Sequence, residues 1–563
     1  MPLLKGRWLV IAAAIAAVVI AVIVTQSGGD DDKGSATKPD KDAIKVSFVY
    51  SPEKEKLLEP LIEEFNSERR KSDGKPVFVE GEVVSSGESE SKIATEKLKP
   101  VAWSPASSLW GRLLNFQADA QYAPRESPSI VRTPLVIAIW EPFARALGYP
   151  KKKTVSFDQV LELATDAKGW GAIGKPQFGK FKLGHTNPDF STSGLSAVAA
   201  EYYATTGKRE GLTVEDIEDP KVRQQVKDVE QSIVHYGDTT LFFADQMKRY
   251  GPGYASAVAM EEVTVIDFNR TRGSQTKLVS MYPEEGTFFS DNPFIVLNAP
   301  WVSAQEKAAA EVFQRYLAKQ ITPAEASKEG FRPGDAAEKP AGGRVNERNG
   351  ADPSEPKRTL SLPEPRVLDR IKSAWREDRK PANVQLVVDV SGSMSEEGKL
   401  DQAKQGLKEF FKQIGKQDNV GLIAFNDQIV VDEPLGRFGE NRAKLQQAVD
   451  DLFPDGETAV YGATDAGWTR IRDLKDEDGI NAVVVLTDGE DTSSRVPPDA
   501  LARAFRDQSK PESPLPIRVY TIAYGSQANK EVLKDIAEAS GGKPFEGDPD
   551  DIESVYRSIS SFF

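Results

Sequence analysis

The 563-residue chain is 39% hydrophobic and 28% charged, too long for one ordinary core and too apolar to be disordered throughout, so two sizeable folded units are the default expectation. It has no cysteine, which excludes a disulfide framework, a thiolate metal site, a thiol nucleophile and a lipidated N-terminal cysteine. Lys+Arg 72 against Asp+Glu 86 leaves a net charge of -14, and this argues against a general nucleic-acid binder, because phosphate backbones reward clustered positive charge.

The first element is the apolar run Trp8 to Val24, preceded by Lys5 and Arg7 and followed by an acidic Gly- and Ser-containing stretch. It is long enough to cross a bilayer. The charge asymmetry predicts residues 1–7 inside the cell and everything downstream outside. No small-x-small cleavage site closes the run, so residues 8–25 read as an uncleaved transmembrane signal anchor; a cleaved signal peptide is the competing reading, and it too exports the body of the protein. Residues 26–43 have almost nothing to bury and read as a flexible stalk.

From Ile44 to Gly334 short apolar stretches alternate with amphipathic ones. IKVSFVY, VFVEGEVV, PLVIAIW, VTVIDF and FIVLNA are predicted strands, and EKLLEPLIEEFNSE and FDQVLELATDA predicted helices. This is an α/β pattern. Residues 335–382 break the periodicity with Pro, Gly and charge, and read as a linker carrying one short helix, VLDRIKSAWRED. Residues 383–563 then alternate more regularly, through VQLVVDV, VGLIAFN, AVVVLTD and IRVYTIAYG with helices between them. Strands that are apolar nearly throughout indicate a mostly parallel, doubly wound sheet buried on both faces. Ligands of such sheets sit at the C-terminal strand ends.

At one such end the sequence places Asp389, Ser391 and Ser393 in a tight turn; Asp488 follows the strand AVVVLTD, and Thr458 lies between them in PDGETAVYGAT. Few carboxylates and several hydroxyls are hard oxygen donors suited to Mg²⁺ or Mn²⁺, with Ca²⁺ a further option. Each piece alone also reads as a helix cap or a turn residue. The three pieces in this order, D-x-S-G-S after a buried strand, G-x-T-A-x-Y and L-T-D-G, resemble the von Willebrand factor A domain and its metal-ion-dependent adhesion site over Asn383 to Phe563. The resemblance implies that Asp389, Ser391, Ser393, Thr458 and Asp488 hold a divalent metal, Asp488 through water, and that a protein partner supplies an acidic side chain to the remaining position. Glu457 stands where that family frequently has a second glycine.

In the first unit, Ser51, Ser104 and the segment Ser191, Thr192, Ser193, Gly194 each fall where a strand or loop feeds a helix. Their hydroxyls and backbone N–H groups could converge on an anion; equally, they could all be helix caps. Together with AWSPASSLW, YGPGYASAVAMEE and GFRPG, the order of these motifs resembles type II extracellular solute-binding proteins, particularly the sulfate and molybdate branch, over Ile44 to Gly334. That resemblance implies two lobes closing over an oxyanion or other small solute, with a repurposed, ligand-free lobe pair as the alternative. Tyr254 and Glu262 fit either the cleft, the hinge or the core.

With His185 and His235 as the only histidines and no G-x-S-x-G elbow, imidazole catalysis has little material, and Ser89-Glu90-Ser91-Lys92 and Ser290-Asp291-Asn292 lack the K-T-G that would give them meaning. No Walker motif is present. The expectation is therefore a membrane-anchored binding protein and not an enzyme. The alternative is a transport-associated receptor for an oxyanion or small solute.

Overall fold

The computed structural model describes residues 38–273, 275–508, 515–549 and 551–563. The anchor expected at 8–25 lies outside them, as does most of the stalk; among the described residues no helix is long and apolar enough to cross a membrane.

The first unit has two lobes, each built on its own sheet. In one, β1 (Ile44–Tyr50) runs parallel to β2 (Lys75–Val83) and β3 (Ala102–Ser104), and the short strand Ile295–Val296 closes the edge beside β3. In the other, β4 (Val131–Trp140) lies between β5 (Ala257–Glu261) and β6 (Leu278–Pro283), antiparallel to both. Both sheets are covered by helices, so the central strands are buried almost throughout. The stretch VTVIDF is helical and not a strand: it lies in the helix Glu262–Thr271, where Val263, Thr264, Val265, Ile266, Phe268 and Asn269 are all buried. A helix buried on several sides has no apolar stripe, and periodicity cannot distinguish it from a buried strand.

Where the lobes face each other run α1 (Ser86–Ala94), α2 (Leu109–Gln117), α3 (Thr192–Thr206) and α4 (Thr240–Tyr250), with α5 (Pro365–Asp378) packed beside them. The segment leading to α5 is fastened to the first unit, with Ser280 N–H donating to Gly350 O at 2.8 Å and Leu360 N–H to Thr287 O at 2.9 Å. The helix α5 itself touches both lobes. Its Lys372 ammonium lies 5.5 Å from the Trp110 ring of α2, while Trp375 Nε1 donates to Glu230 at 3.1 Å and Arg376 forks onto Asp189 at 2.7 and 2.6 Å.

The second unit is a doubly wound sheet of β7 (Ala382–Asp389), β8 (Asn419–Phe425), β9 (Ile429–Arg437), β10 (Ile480–Thr487), β11 (Ile517–Tyr524) and β12 (Pro544–Gly547), in the spatial order β9-β8-β7-β10-β11-β12. All neighbours are parallel except the hairpin partner β9. The helices α6 (Lys399–Gln413) and α8 (Ile552–Ser560) pack against each other, and α7 (Lys530–Ala539) packs on β11. The helix α6 buries Leu400, Ala403, Leu407, Phe410 and Phe411, the i, i+3, i+4 stripe that a sheet-covering helix requires.

The two units are docked. From α1, Lys92 Nζ donates to Ser554 Oγ at 2.8 Å; from α4, Arg249 pairs with Glu538 at 2.9 Å. The rings of Phe242 and Phe562 meet edge-on at 5.0 Å.

Candidate functional site

Strand order reverses at β7, which has β8 on one side and β10 on the other. This is the switch point at which doubly wound sheets open a crevice. Asp389 ends β7 and Asp488 directly follows β10, so two carboxylates come to the same rim from strands that share a ladder. Gly392 N–H donates to Gly456 O at 3.0 Å and Asp455 N–H to Val390 O at 2.8 Å, tying the Thr458 loop to the Asp389 turn.

The five expected donors converge there. Asp389 Oδ1 accepts from Ser391 N–H at 2.8 Å and Oδ2 from Thr487 O–H at 2.5 Å. Ser393 O–H donates to Asp488 Oδ1 at 2.7 Å, and the hydroxyls of Ser391 and Ser393 are 3.1 Å apart. A Cβ placed on Gly489 would lie 3.7 Å from Thr458 Oγ1 and 3.9 Å from Ser393 Oγ, so both hydroxyls face the space over that glycine. Ser391, Ser393, Gly456, Thr458, Gly489 and Gln527 line one open depression. Glu457 lines the same depression and accepts from Thr492 O–H at 3.0 Å.

Burial pushes the Asp389 carboxyl up to about 6, the bonds from Thr487 and Ser391 offsetting it only in part, with Asp488 adding to the rise. Asp389 is a buried carboxylate whose donors among the described residues are neutral. Burying a charge without a countercharge is costly, and hydroxyls ringing two carboxylates beside an opening are the hard donors a small divalent cation takes. The residues fit such an ion, which when bound would offer a Lewis-acidic position to an incoming oxygen ligand.

Lys399 was not foreseen: its ammonium donates to Asp488 Oδ2 at 2.7 Å. A lysine in the first turn of α6 opposes the usual preference for acid at a helix N-terminus, and that anomaly was the available signal.

The candidate hydroxyls of the first unit divide. Ser51, Ser191 and Thr192 line a cavity of about 30 Å³ between the lobes. Ser193 instead bonds Thr186 at 2.9 Å and Ser191 at 3.1 Å, and Ser104 is buried under the cavity wall, its carbonyl accepting from Ser51 N–H at 3.2 Å. Sequence reasoning missed Ser86, Thr240, Glu53, Asp238 and Glu261, which share that lining. Tyr254 and Glu262 belong to the core: Tyr254 bonds His235, and Glu262 accepts from Nε and one terminal nitrogen of Arg332 at 2.9 and 2.7 Å. The other histidine, His185, is equally buried, with Nε2 3.0 Å from Glu230.

Comparison with known proteins matches a family to each of the two units. The family model for the von Willebrand factor type A domain matches residues 383–555, and that for bacterial extracellular solute-binding proteins matches residues 46–332. Uncharacterized protein Rv1836c of Mycobacterium tuberculosis is 22% identical over 469 residues, covering 79% of this chain and 64% of that protein. The chain thus spans 64% of the length of this relative. Uncharacterized protein YfbK of Escherichia coli is 23% identical over 171 residues, 30% of this chain and 29% of YfbK. Among solved structures, a von Willebrand factor type A protein from Catenulispora acidiphila is 24% identical over 32% of this chain and 42% of its own, with a TM-score of 0.29. The pilus adhesin SpaC from Lactobacillus rhamnosus GG in its open conformation is 18% identical over 32% of this chain and 30% of its own, with a TM-score of 0.27. With just over half of its residues matched by the one family model and its C-terminal unit by the other, the chain belongs to the bacterial extracellular solute-binding proteins and carries a von Willebrand factor type A domain.

Proposed function

We propose that this is a membrane-anchored, extracytoplasmic binding protein whose type A domain holds Mg²⁺ through Asp389, Ser391, Ser393, Thr458 and Asp488, and through that ion captures an acidic side chain of a protein partner. The observation that carries this reading is the convergence of two buried carboxylates and three hydroxyls on one open rim at the sheet's switch point. Phe453, 76% exposed, stands just before the Thr458 loop, and an exposed aromatic side chain beside a charged site is the composition of a recognition surface more than of a reaction chamber. Recognition rather than catalysis is also favoured by the two histidines, which are both buried in the first unit and bonded to core groups. The apolar run Trp8 to Val24 and the charge asymmetry around it support the anchor and the outward orientation.

The reading is tested by capturing proteins from the native membrane on the parent chain and on Asp389→Ala, in Mg²⁺ and in EDTA. Retention by the parent in Mg²⁺ alone is expected. Equal retention under all four conditions sinks the proposal.

A further inference from the structure

Three helices, α1, α3 and α4, bring their first residues Ser86, Thr192 and Thr240 to the same inter-lobe cavity. Helix N-termini gathered in this way favour negative charge. The charge is already present. Glu53, Asp238 and Glu261 line the cavity, and its lining among the described residues includes no Lys, Arg or His. Glu261 accepts from the Thr240 hydroxyl at 3.1 Å, so one of these carboxylates already holds the first turn of α4.

The countercharges stand behind the wall. Lys54, fully buried, donates to Ser51, to Glu53 at 3.1 Å and to Asn292 at 2.8 Å. Asp238 is paired with Lys543, which comes from the other domain. Burial and, next, Glu53 push the Glu261 carboxyl up to about 7, so near neutral pH it carries only part of a charge; a further anion in the cavity would sit against Glu53 and Asp238 as well.

Space is equally limiting. The cavity of about 30 Å³ has room for one or two water molecules. The lobes bond each other directly across it, Gly87 N–H to Phe190 O at 2.9 Å and Trp110 Nε1 to Thr192 Oγ1 at 2.7 Å. A Cβ added to Gly87 would fall 2.1 Å from Asp189 O, so backbone packs on backbone at this seam. Outside it, α5 touches both lobes, and the type A domain grips one through Lys92 and Ser554 and the other through Arg249 and Glu538.

We propose that the first domain is closed on its own carboxylates and acts as a fixed scaffold that orients the metal-bearing domain, not as a receptor that exchanges an anionic solute. The proposal is independent of the metal, so its failure is distinguishable from failure of the adhesion reading.

The test is calorimetric titration of the full chain, in detergent and without divalent metal, with phosphate, sulfate and molybdate. The parent is expected to give no saturable heat up to millimolar anion. Glu53→Gln/Glu261→Gln, which removes the charge and keeps the narrow cavity, is expected to be as silent as the parent, because the closed seam still leaves no room for a tetrahedral anion. Because the chain has no cysteine, spin labels on Glu82→Cys and Lys168→Cys also report the lobe separation in an otherwise unaltered protein, and one distance is expected with and without anion. Micromolar anion binding by the parent or by the double variant, or an anion-driven change in the lobe separation, overturns the proposal.

Discussion

Lys399 Nζ donates to Asp488 Oδ2 at 2.7 Å while Ser393 Oγ donates to Oδ1 at the same distance, so both oxygens of a fully buried carboxylate are engaged from opposite sides. The lysine fixes the carboxylate's rotation and supplies its countercharge. A divalent ion held as proposed would have to share Asp488 with that ammonium.

Lys399→Met is therefore expected to destabilise the protein in EDTA by about 3 kcal/mol, the order found when one partner of a buried pair is removed. Mg²⁺ should recover more stability in this variant than in the parent, because the metal no longer competes with an ammonium and binding stabilises by mass action. Denaturant unfolding in EDTA and in Mg²⁺ measures both. An identical Mg²⁺ increment in the two proteins would show that Lys399 and the metal do not share Asp488.

Glu90 on α1 gives a pH-dependent expectation. It is buried, neither carboxylate oxygen has a hydrogen-bond partner among the described residues, and burial, with Asp189 and Asp369 adding to it and Lys372 opposing, pushes its pKa from 4.5 to about 7. The folded state thus binds a proton that the unfolded state has released between pH 4.5 and 7, and stability from this group falls as pH rises through that window. The full effect is roughly 3 kcal/mol. Glu90→Gln should unfold with a flatter pH profile and be more stable than the parent at pH 8. A profile parallel to the parent's between pH 4.5 and 8 contradicts this assignment.

The fork between Arg376 and Asp189 seats α5 on the second lobe. Burial raises the Asp189 carboxyl, but Arg376 and Lys372 more than offset it, and the group stays below its ordinary range. Because Arg376 is half-exposed, Arg376→Ala is expected to cost only about 1–2 kcal/mol. Arg376→Lys should recover about half of that, since it keeps the charge and loses the second parallel bond. Urea midpoints of the three proteins provide the check; a lysine variant as weak as the alanine one would mean that charge contributes nothing here.

Where the sequence was legible, the reason is periodicity or chemistry at strand ends. The strands β7, β8, β10 and β11 are buried along nearly their whole lengths, which makes them continuous apolar runs; the donor Asp389 ends one of them and Asp488 directly follows another. The hairpin strand β9 was not expected, because it is an edge strand with exposed Ile429 and Val430, charged residues and a proline; edges are written this way to discourage pairing with other chains. The hydroxyls at the inter-lobe cavity were half legible. Ser51, Ser191 and Thr192 precede or open helices, and that rule found them, but Glu53, Asp238 and Glu261 carry no local pattern and meet only where the two lobes face each other. Lys399 escaped for a related reason: 89 residues separate it from Asp488.

The placement of Asp389 at the far end of a central parallel strand has a mechanical consequence. A pull applied there runs along β7, whose residues 383–389 are held by β8 and 382–388 by β10. Tension along a strand loads its ladder bonds together in shear and does not open them one at a time. The tension leaves through Arg379, forked onto Asp418 at 3.1 and 2.5 Å, and enters α5, where Trp375 and Arg376 are seated in the first domain. Force would thus pass from one domain to the other through a pinned helix instead of a slack tether, and the joint would hold its angle under strain.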